Sequence, residues 1–278
     1  MYLRPTTLDE ALDALASEPA PILSGGTDVF PALGDKPPPA RLIDISSLPE
    51  LSGITVAERE IRIGGRTTWS EIVAAPLPPR FDALKSAARE VGSIQIQNRG
   101  TLAGNLCNAS PAADGVPPLL VLDAAVELAS RSGTRREPLA SFLRGNRVTA
   151  RRPDELLTAV IVPRALERGR SAFVKLGARR YLVISVAMAA AVVDADEAGL
   201  VLDARVAVGS CSAVARRLPD LERILIGRPA RPGLGRAVLP EHGAPLSPID
   251  DIRATAAYRT DAALTLVRRA LESCVAES

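Results

Sequence analysis

The run from Gln97 to Asp114 gathers Asn98, Gly100, Thr101, Ala103, Gly104, Asn105, Asn108 and Ser110 with few bulky side chains. Such a run packs little apolar surface of its own and suits a main chain that comes close to a ligand. A second cluster of small residues, Ser24-Gly25-Gly26-Thr27-Asp28, follows the short apolar run Pro21-Ile22-Leu23. Glycines permit positive φ and close approach, and the free amides at a helix start favour an anion. The chemistry these two stretches support is the cradling of a phosphate-bearing cofactor. For the glycine pair taken alone, an ordinary tight turn is the competing reading.

Side chains for other chemistry are scarce. The single histidine, His242, lies in a Pro/Gly-rich loop, and no GxSxG elbow accompanies it. Cys107, Cys211 and Cys274 are far apart and form no CxxC, which argues against a zinc site or an iron–sulfur cluster held within this chain. No catalytic side chain and no metal-ligand set is assigned.

The elements that must position the two stretches can be read from periodicity. Leu8, Ala11, Leu12 and Leu15 have helical spacing, with Thr7 and Glu10 as a capping box. Ile22-Leu23 reads as a strand, a helix starts at Thr27 or Asp28, and Arg41–Ile45 reads as the next strand, so the first fifty residues form a small βαβ unit. Ile54–Val56 and Glu60–Gly65 read as a hairpin. Thr68 caps a short helix holding Trp69 and Ile72, and Phe81–Val91 is helical. Beyond the Gln97–Asp114 stretch come the apolar runs Leu119–Leu122 and Ala125–Ala129, the second a strand. A short helix over Pro138–Leu143 leads to a strand over Leu156–Pro163. The charged connection Arg164–Arg170 is the best domain boundary. Strands follow at 171–176, 185–193 and 201–209, then helices at 218–226 and 255–272, the order of an α+β layer with helices on one face of an antiparallel sheet.

Composition excludes other functions. The chain has 278 residues, 47% of them hydrophobic, and a net charge of +2 with 3% aromatics. It lacks the concentrated basic face and the aromatic platforms of a nucleic-acid binder. No run approaches the roughly 18–20 apolar residues of a membrane span, and Met1-Tyr2-Leu3-Arg4-Pro5 does not resemble a signal peptide. A cytoplasmic location is expected. The pairs Arg135-Arg136, Arg151-Arg152, Arg179-Arg180, Arg216-Arg217 and Arg268-Arg269 read as solvated surface.

The glycine turn 24–28, then Asn98–Asn105, then Ala109–Asp114, form an ordered set that resembles the FAD-binding medium subunit of the molybdenum hydroxylases, the relatives of xanthine dehydrogenase and aerobic carbon monoxide dehydrogenase. Lys175–Arg180, Ile184–Ala187, and Tyr258-Arg259 ahead of Val267–Leu271 resemble the C-terminal domain of the same family. The resemblance spans nearly the whole chain. It implies an α+β protein: a PCMH-type FAD-binding domain of two α/β lobes (1–52 and 53–166), then a C-terminal α+β domain (167–278) with a three-stranded antiparallel sheet and helices.

The resemblance also implies roles. Leu23, Ser24, Gly25, Gly26, Thr27 and Asp28, with Thr101, Leu102, Ala103, Gly104 and Asn105, would surround the FAD pyrophosphate, largely through backbone amides. Ser110 adds a neutral polar contact. Asp114 and Lys175 match cofactor-contacting positions, and Val91 and Leu157 match apolar positions beside the flavin or its ribityl chain. From the residues themselves, Asp114 can also be read as a turn cap and Lys175 as a surface strand residue, while Tyr181 reads as a packing residue with a platform near the isoalloxazine as the alternative. Ala103 stands where the family commonly has a glycine, and its methyl restricts φ. The implied function is electron transfer through FAD, from a small subunit with two [2Fe-2S] clusters and a molybdopterin-binding large subunit to an external acceptor. A self-sufficient PCMH-type flavin oxidase or dehydrogenase is the alternative.

Overall fold

The structure is a computed structural model that describes residues 1–164 and 169–276. The charged connection taken as the domain boundary falls in large part on residues 165–168, outside the described residues.

The N-terminal lobe is a three-stranded parallel sheet in the order β1 (Tyr2–Leu3), β3 (Leu42–Asp44), β2 (Ile22–Leu23). Between the first two strands in sequence lies α1 (Leu8–Ser17), and after β2 comes α2 (Val29–Leu33). Ala11, Leu12 and Leu15 of α1 pack on Ile43 and Ile45. Thr7 caps α1 by accepting from the Glu10 amide, but the Glu10 carboxylate turns back to Thr6, so the predicted reciprocal box is half formed. The strand β1 extends the predicted βαβ unit by one.

The second lobe holds a five-stranded antiparallel sheet, in the order β4 (Ile54–Val56), β5 (Glu60–Gly64), β10 (Leu156–Pro163), β6 (Ala125–Ser130), β7 (Gly133–Pro138). Its helices are α3 (Trp69–Ala74), α4 (Asp82–Glu90), α5 (Ile94–Gln97), α6 (Leu102–Asn108), α7 (Val116–Val121) and α8 (Leu139–Phe142). A small hairpin of β8 (Leu143–Gly145) and β9 (Val148–Thr149) projects beside them. Every residue of α7 is buried, with Pro117 and Pro118 in its first turn, where a missing amide costs nothing.

The C-terminal domain corrects the expected strand count. Its antiparallel sheet has four strands, β11 (Arg170–Leu176), β12 (Ala187–Ala195), β13 (Val201–Gly209) and β14 (Arg216–Arg217). The fourth has two residues, too short to show alternation. One face of this sheet, through Ala190, Val192 and Ala207, joins the core of the second lobe. The other face is covered by α9 (Pro219–Leu225) and α10 (Ala256–Val275). The sheet is therefore shared between two cores, and its β11 end is pressed against α4.

Candidate functional site

A cavity of about 930 Å³ opens where the N-terminal lobe, the second lobe and the C-terminal domain meet. Its wall includes Ser24 to Val29, the segment from Glu90 to Ser93, α6, Ala112–Asp114, Leu156-Leu157 and Leu182–Ile184.

The glycine turn is built to approach another backbone. A Cβ placed on Gly25 would lie 1.9 Å from the carbonyl oxygen of Arg99, so only glycine lets the turn rest against the start of the second motif. Gly26 has φ +76°, and a Cβ there would strike the Phe30 ring at 2.7 Å. Among the described residues, the amides of Gly25, Gly26, Thr27 and Asp28 donate to no protein acceptor. Four consecutive open amides around a left-handed glycine form an anion-binding concavity.

The second motif is braced, not open. Thr101 caps α6 by accepting from the Gly104 amide at 3.2 Å. The amides of Leu102 and Ala103 donate to the carbonyls of Thr67 and Gly65, each at 3.0 Å, and that of Asn105 to Thr101 at 3.0 Å. With these amides engaged inside the protein, the segment offers side chains to the cavity. Asn105 lines it with a buried Oδ1 that has no hydrogen-bond partner, an acceptor awaiting a donor. Ala103 sits inside the helix, outside the positive-φ region, so the methyl that separates it from a glycine carries no backbone strain.

A hydrogen-bonded chain ties the motifs together. Asn108 Nδ2 donates to Asp28 Oδ1 at 3.0 Å, and Arg147 Nη1 donates to Asn108 Oδ1 at 3.1 Å. Arg147 (φ +57°) sits at the turn between β8 and β9. Arg147 and Arg151 both line the cavity. They bring cationic charge to it, and the sequence reading missed both. The sequence alone reads Arg151 as solvated surface, yet its Nη1 donates to the Glu155 carbonyl at 2.7 Å and the residue lines the cavity.

At the far side, Asp114 is buried and lines the cavity. Lys175 Nζ lies 2.6 Å from its Oδ2, and Ser185 Oγ donates to its Oδ1 at 2.7 Å. Burial pushes the Asp114 carboxyl above the usual carboxylate range, against the opposing pull of Lys175 and Ser185. The one tryptophan, Trp69, is buried in the cavity wall, where a Cβ on Gly115 would meet its ring at 2.4 Å. Cys107 also faces the cavity, and burial pushes its thiol up to about 11.

Of the residues singled out from sequence, Ser24, Gly25, Gly26, Thr27, Asp28, Val91, Thr101, Ala103, Gly104, Asn105, Ser110, Asp114 and Leu157 line the cavity. Three do not. Leu23 is buried in β2, where its carbonyl accepts the Ile45 amide and anchors the turn. Leu102 is fully buried on the core side of α6. Lys175 stands behind Asp114 and reaches the cavity only through that carboxylate. Tyr181 is exposed, with the Arg180 guanidinium 5.2 Å over its ring. His242 is buried in the C-terminal domain, its Nδ1 accepting the Leu239 amide.

The residues fit FAD. The cavity volume suits a cofactor of that class, the open amides of 25–28 and the two arginines suit a pyrophosphate, and the orphaned Asn105 oxygen needs a ligand donor.

Comparison with known proteins gives the family and the fold. The family described as the FAD binding domain in molybdopterin dehydrogenase matches residues 1–165, and the CO dehydrogenase flavoprotein C-terminal domain matches residues 172–274. The chain is 37% identical over 247 residues to the nicotinate dehydrogenase FAD-subunit of Eubacterium barkeri, covering 86% of this chain and 83% of that one. It is 32% identical to the putative xanthine dehydrogenase FAD-binding subunit of Escherichia coli K12, covering 99% of this chain and 96% of that one. The structure superimposes on a chain of reconstituted CO dehydrogenase from Oligotropha carboxidovorans with a TM-score of 0.92 and 27% identity, covering 100% of this chain and 98% of that one.

Proposed function

The chain belongs to the FAD-binding subunits of the molybdopterin dehydrogenases, and from that membership we propose that it is their electron-transfer subunit, set between iron–sulfur clusters of a partner and an external acceptor. It is an FAD-dependent oxidoreductase subunit of a molybdenum-containing dehydrogenase. When bound, FAD supplies the redox chemistry. The work of the chain's own residues is binding and positioning. The amides of Gly25–Asp28 with Arg147 and Arg151 would hold the pyrophosphate. Asn105 and Ser110 would supply neutral polar contacts, Val91 and Leu157 would flank the ring system, and buried Asp114 of the second lobe would meet the cofactor where Lys175 and Ser185 of the C-terminal domain hold it.

The single observation that carries this reading is the row of unused amides at Gly25–Asp28, held open against Arg99 across a cavity lined from three parts of the chain. The partners proposed are a molybdopterin-binding large subunit and a small subunit with two [2Fe-2S] clusters, and the complex is placed in the cytoplasm. Among the described residues no helix is long and apolar enough to cross a membrane. The substrate belongs to the large subunit, so the varied substrates in the relatives' names are not carried over. The test is to express the chain with its neighbouring genes and purify by a tag on this chain. Co-purification of both partners, with flavin reduced when substrate is added, is expected. A flavin that stays oxidised while the molybdenum subunit turns over would contradict the electron-transfer role.

A further inference from the structure

Ser185 lies in the Ile184–Ala187 run and carries no cofactor role assigned from the sequence, yet it is buried and makes one directed contact. Its hydroxyl donates to Asp114 Oδ1 at 2.7 Å while Lys175 Nζ holds Oδ2 at 2.6 Å. Asp114 belongs to the second lobe and follows α6. Lys175 is in β11, and Ser185 is two residues before β12, both in the C-terminal domain. Each oxygen of the one carboxylate is thus fixed by a different strand end of the other domain. Ile184, the neighbour of Ser185, lines the cavity itself. The Val186 amide donates to the Leu176 carbonyl at 2.7 Å and its carbonyl accepts Arg259 Nη1 at 2.7 Å, so the backbone that presents Ser185 is pinned on both sides.

We propose that Ser185 is a positioning residue for the flavin site: with Lys175 it clamps Asp114 in the orientation that meets bound FAD. This rests on the reading of the cavity as the FAD site. A buried carboxylate held by two donors has no freedom to turn, and its remaining lone pairs are aimed by the clamp. Without the hydroxyl, the carboxylate rotates about the single Lys175 contact and the buried oxygen loses a partner.

The measurement uses the full chain, stripped of flavin and titrated with FAD, with the flavin midpoint potential recorded for each reloaded variant. Ser185→Ala is expected to raise the dissociation constant about tenfold, as loss of a hydrogen bond to a charged group implies, and to displace the midpoint potential. Ser185→Thr keeps the hydroxyl and restores both. Lys175→Met gives the same two changes and decides the matter if Ser185→Ala does not fold. Asp123→Asn loosens a domain contact outside the cavity, the Asp123 pairs with Arg205 and Arg217, and leaves FAD affinity within twofold. Wild-type affinity and potential in Ser185→Ala and Lys175→Met overturn this inference and leave the FAD site intact. Failure of the wild-type chain to take up FAD overturns the site reading and this inference with it.

Discussion

Gly25 and Arg99 touch backbone to backbone: a single carbon added to Gly25 would sit 1.9 Å from the Arg99 carbonyl oxygen. Two motifs more than seventy residues apart in sequence are one object in the fold. The turn supplies the open amides, and the second motif supplies the wall that keeps them open.

Gly25→Ala is therefore expected to push the turn off Arg99 and weaken FAD binding by about a hundredfold or more, since the clash is with backbone and not with the end of a flexible side chain. The C-terminal domain, with its own core on α10, should stay folded. Flavin content per chain and circular dichroism check both halves of the statement.

The chain from Asp28 through Asn108 to Arg147 holds the glycine turn, α6 and the β8–β9 turn in register. Removing it with Asn108→Ala gives up two hydrogen bonds of about 1 kcal/mol each. FAD affinity is expected to fall about tenfold, and the flavin-free protein to lose up to about 2 kcal/mol of stability with these two bonds. Titration calorimetry against a thermal melt of the same sample separates the two effects.

Glu155 anchors the segment that carries Arg151, Leu156 and Leu157 into the cavity. Its carboxylate accepts from Arg135 Nε at 2.6 Å and Nη2 at 2.9 Å, and from the Arg152 amide at 2.7 Å. The Arg135 hydrogen bonds hold it below its ordinary value of 4.5. For a carboxyl shifted down, the stabilisation is complete above the unfolded value and is lost as pH falls through the folded one. Glu155→Gln is expected to cost about 2 kcal/mol at pH 7, with the difference from wild type shrinking below about pH 4.5. Urea midpoints at several pH values check it.

Cys107 faces the cavity with its thiol pushed up to about 11 by burial. At pH 8 only about one thiol in a thousand is ionised, so alkylation should be slow and rise about tenfold per pH unit. Bound FAD should slow it further by covering the cavity. Peptide mapping after iodoacetamide treatment, with and without FAD, reads this out. Rapid labelling independent of pH would place the thiol elsewhere.

The order of elements was legible wherever local pattern decided it. The α1 spacing, the β4–β5 hairpin and the long runs of β10, β12 and β13 all follow from alternation or helical period over enough residues. What failed to show has physical reasons. The helix α7 is buried all round, so it has no polar face to reveal its period. The two-residue strands β1 and β14 are made by their neighbours. The arginine pairs looked like solvated surface because their partners are distant in sequence: Arg135 meets Glu155, Arg136 meets Glu60, and Arg217 meets Asp123 across the domain contact. The glycine turn was visible as a place for close approach. Which amides stay open, and that those of α6 do not, depends on Thr67, Gly65 and Thr101 as acceptors, a tertiary fact.

The most direct test of the account uses the single tryptophan. Trp69 lies buried in the cavity wall, so FAD bound there must quench its emission. Titrating FAD into the flavin-free full chain should quench Trp69 to a plateau at one FAD per chain. FAD that binds while Trp69 emission is unchanged, or no FAD binding at all, would contradict the placement of the cofactor in this cavity.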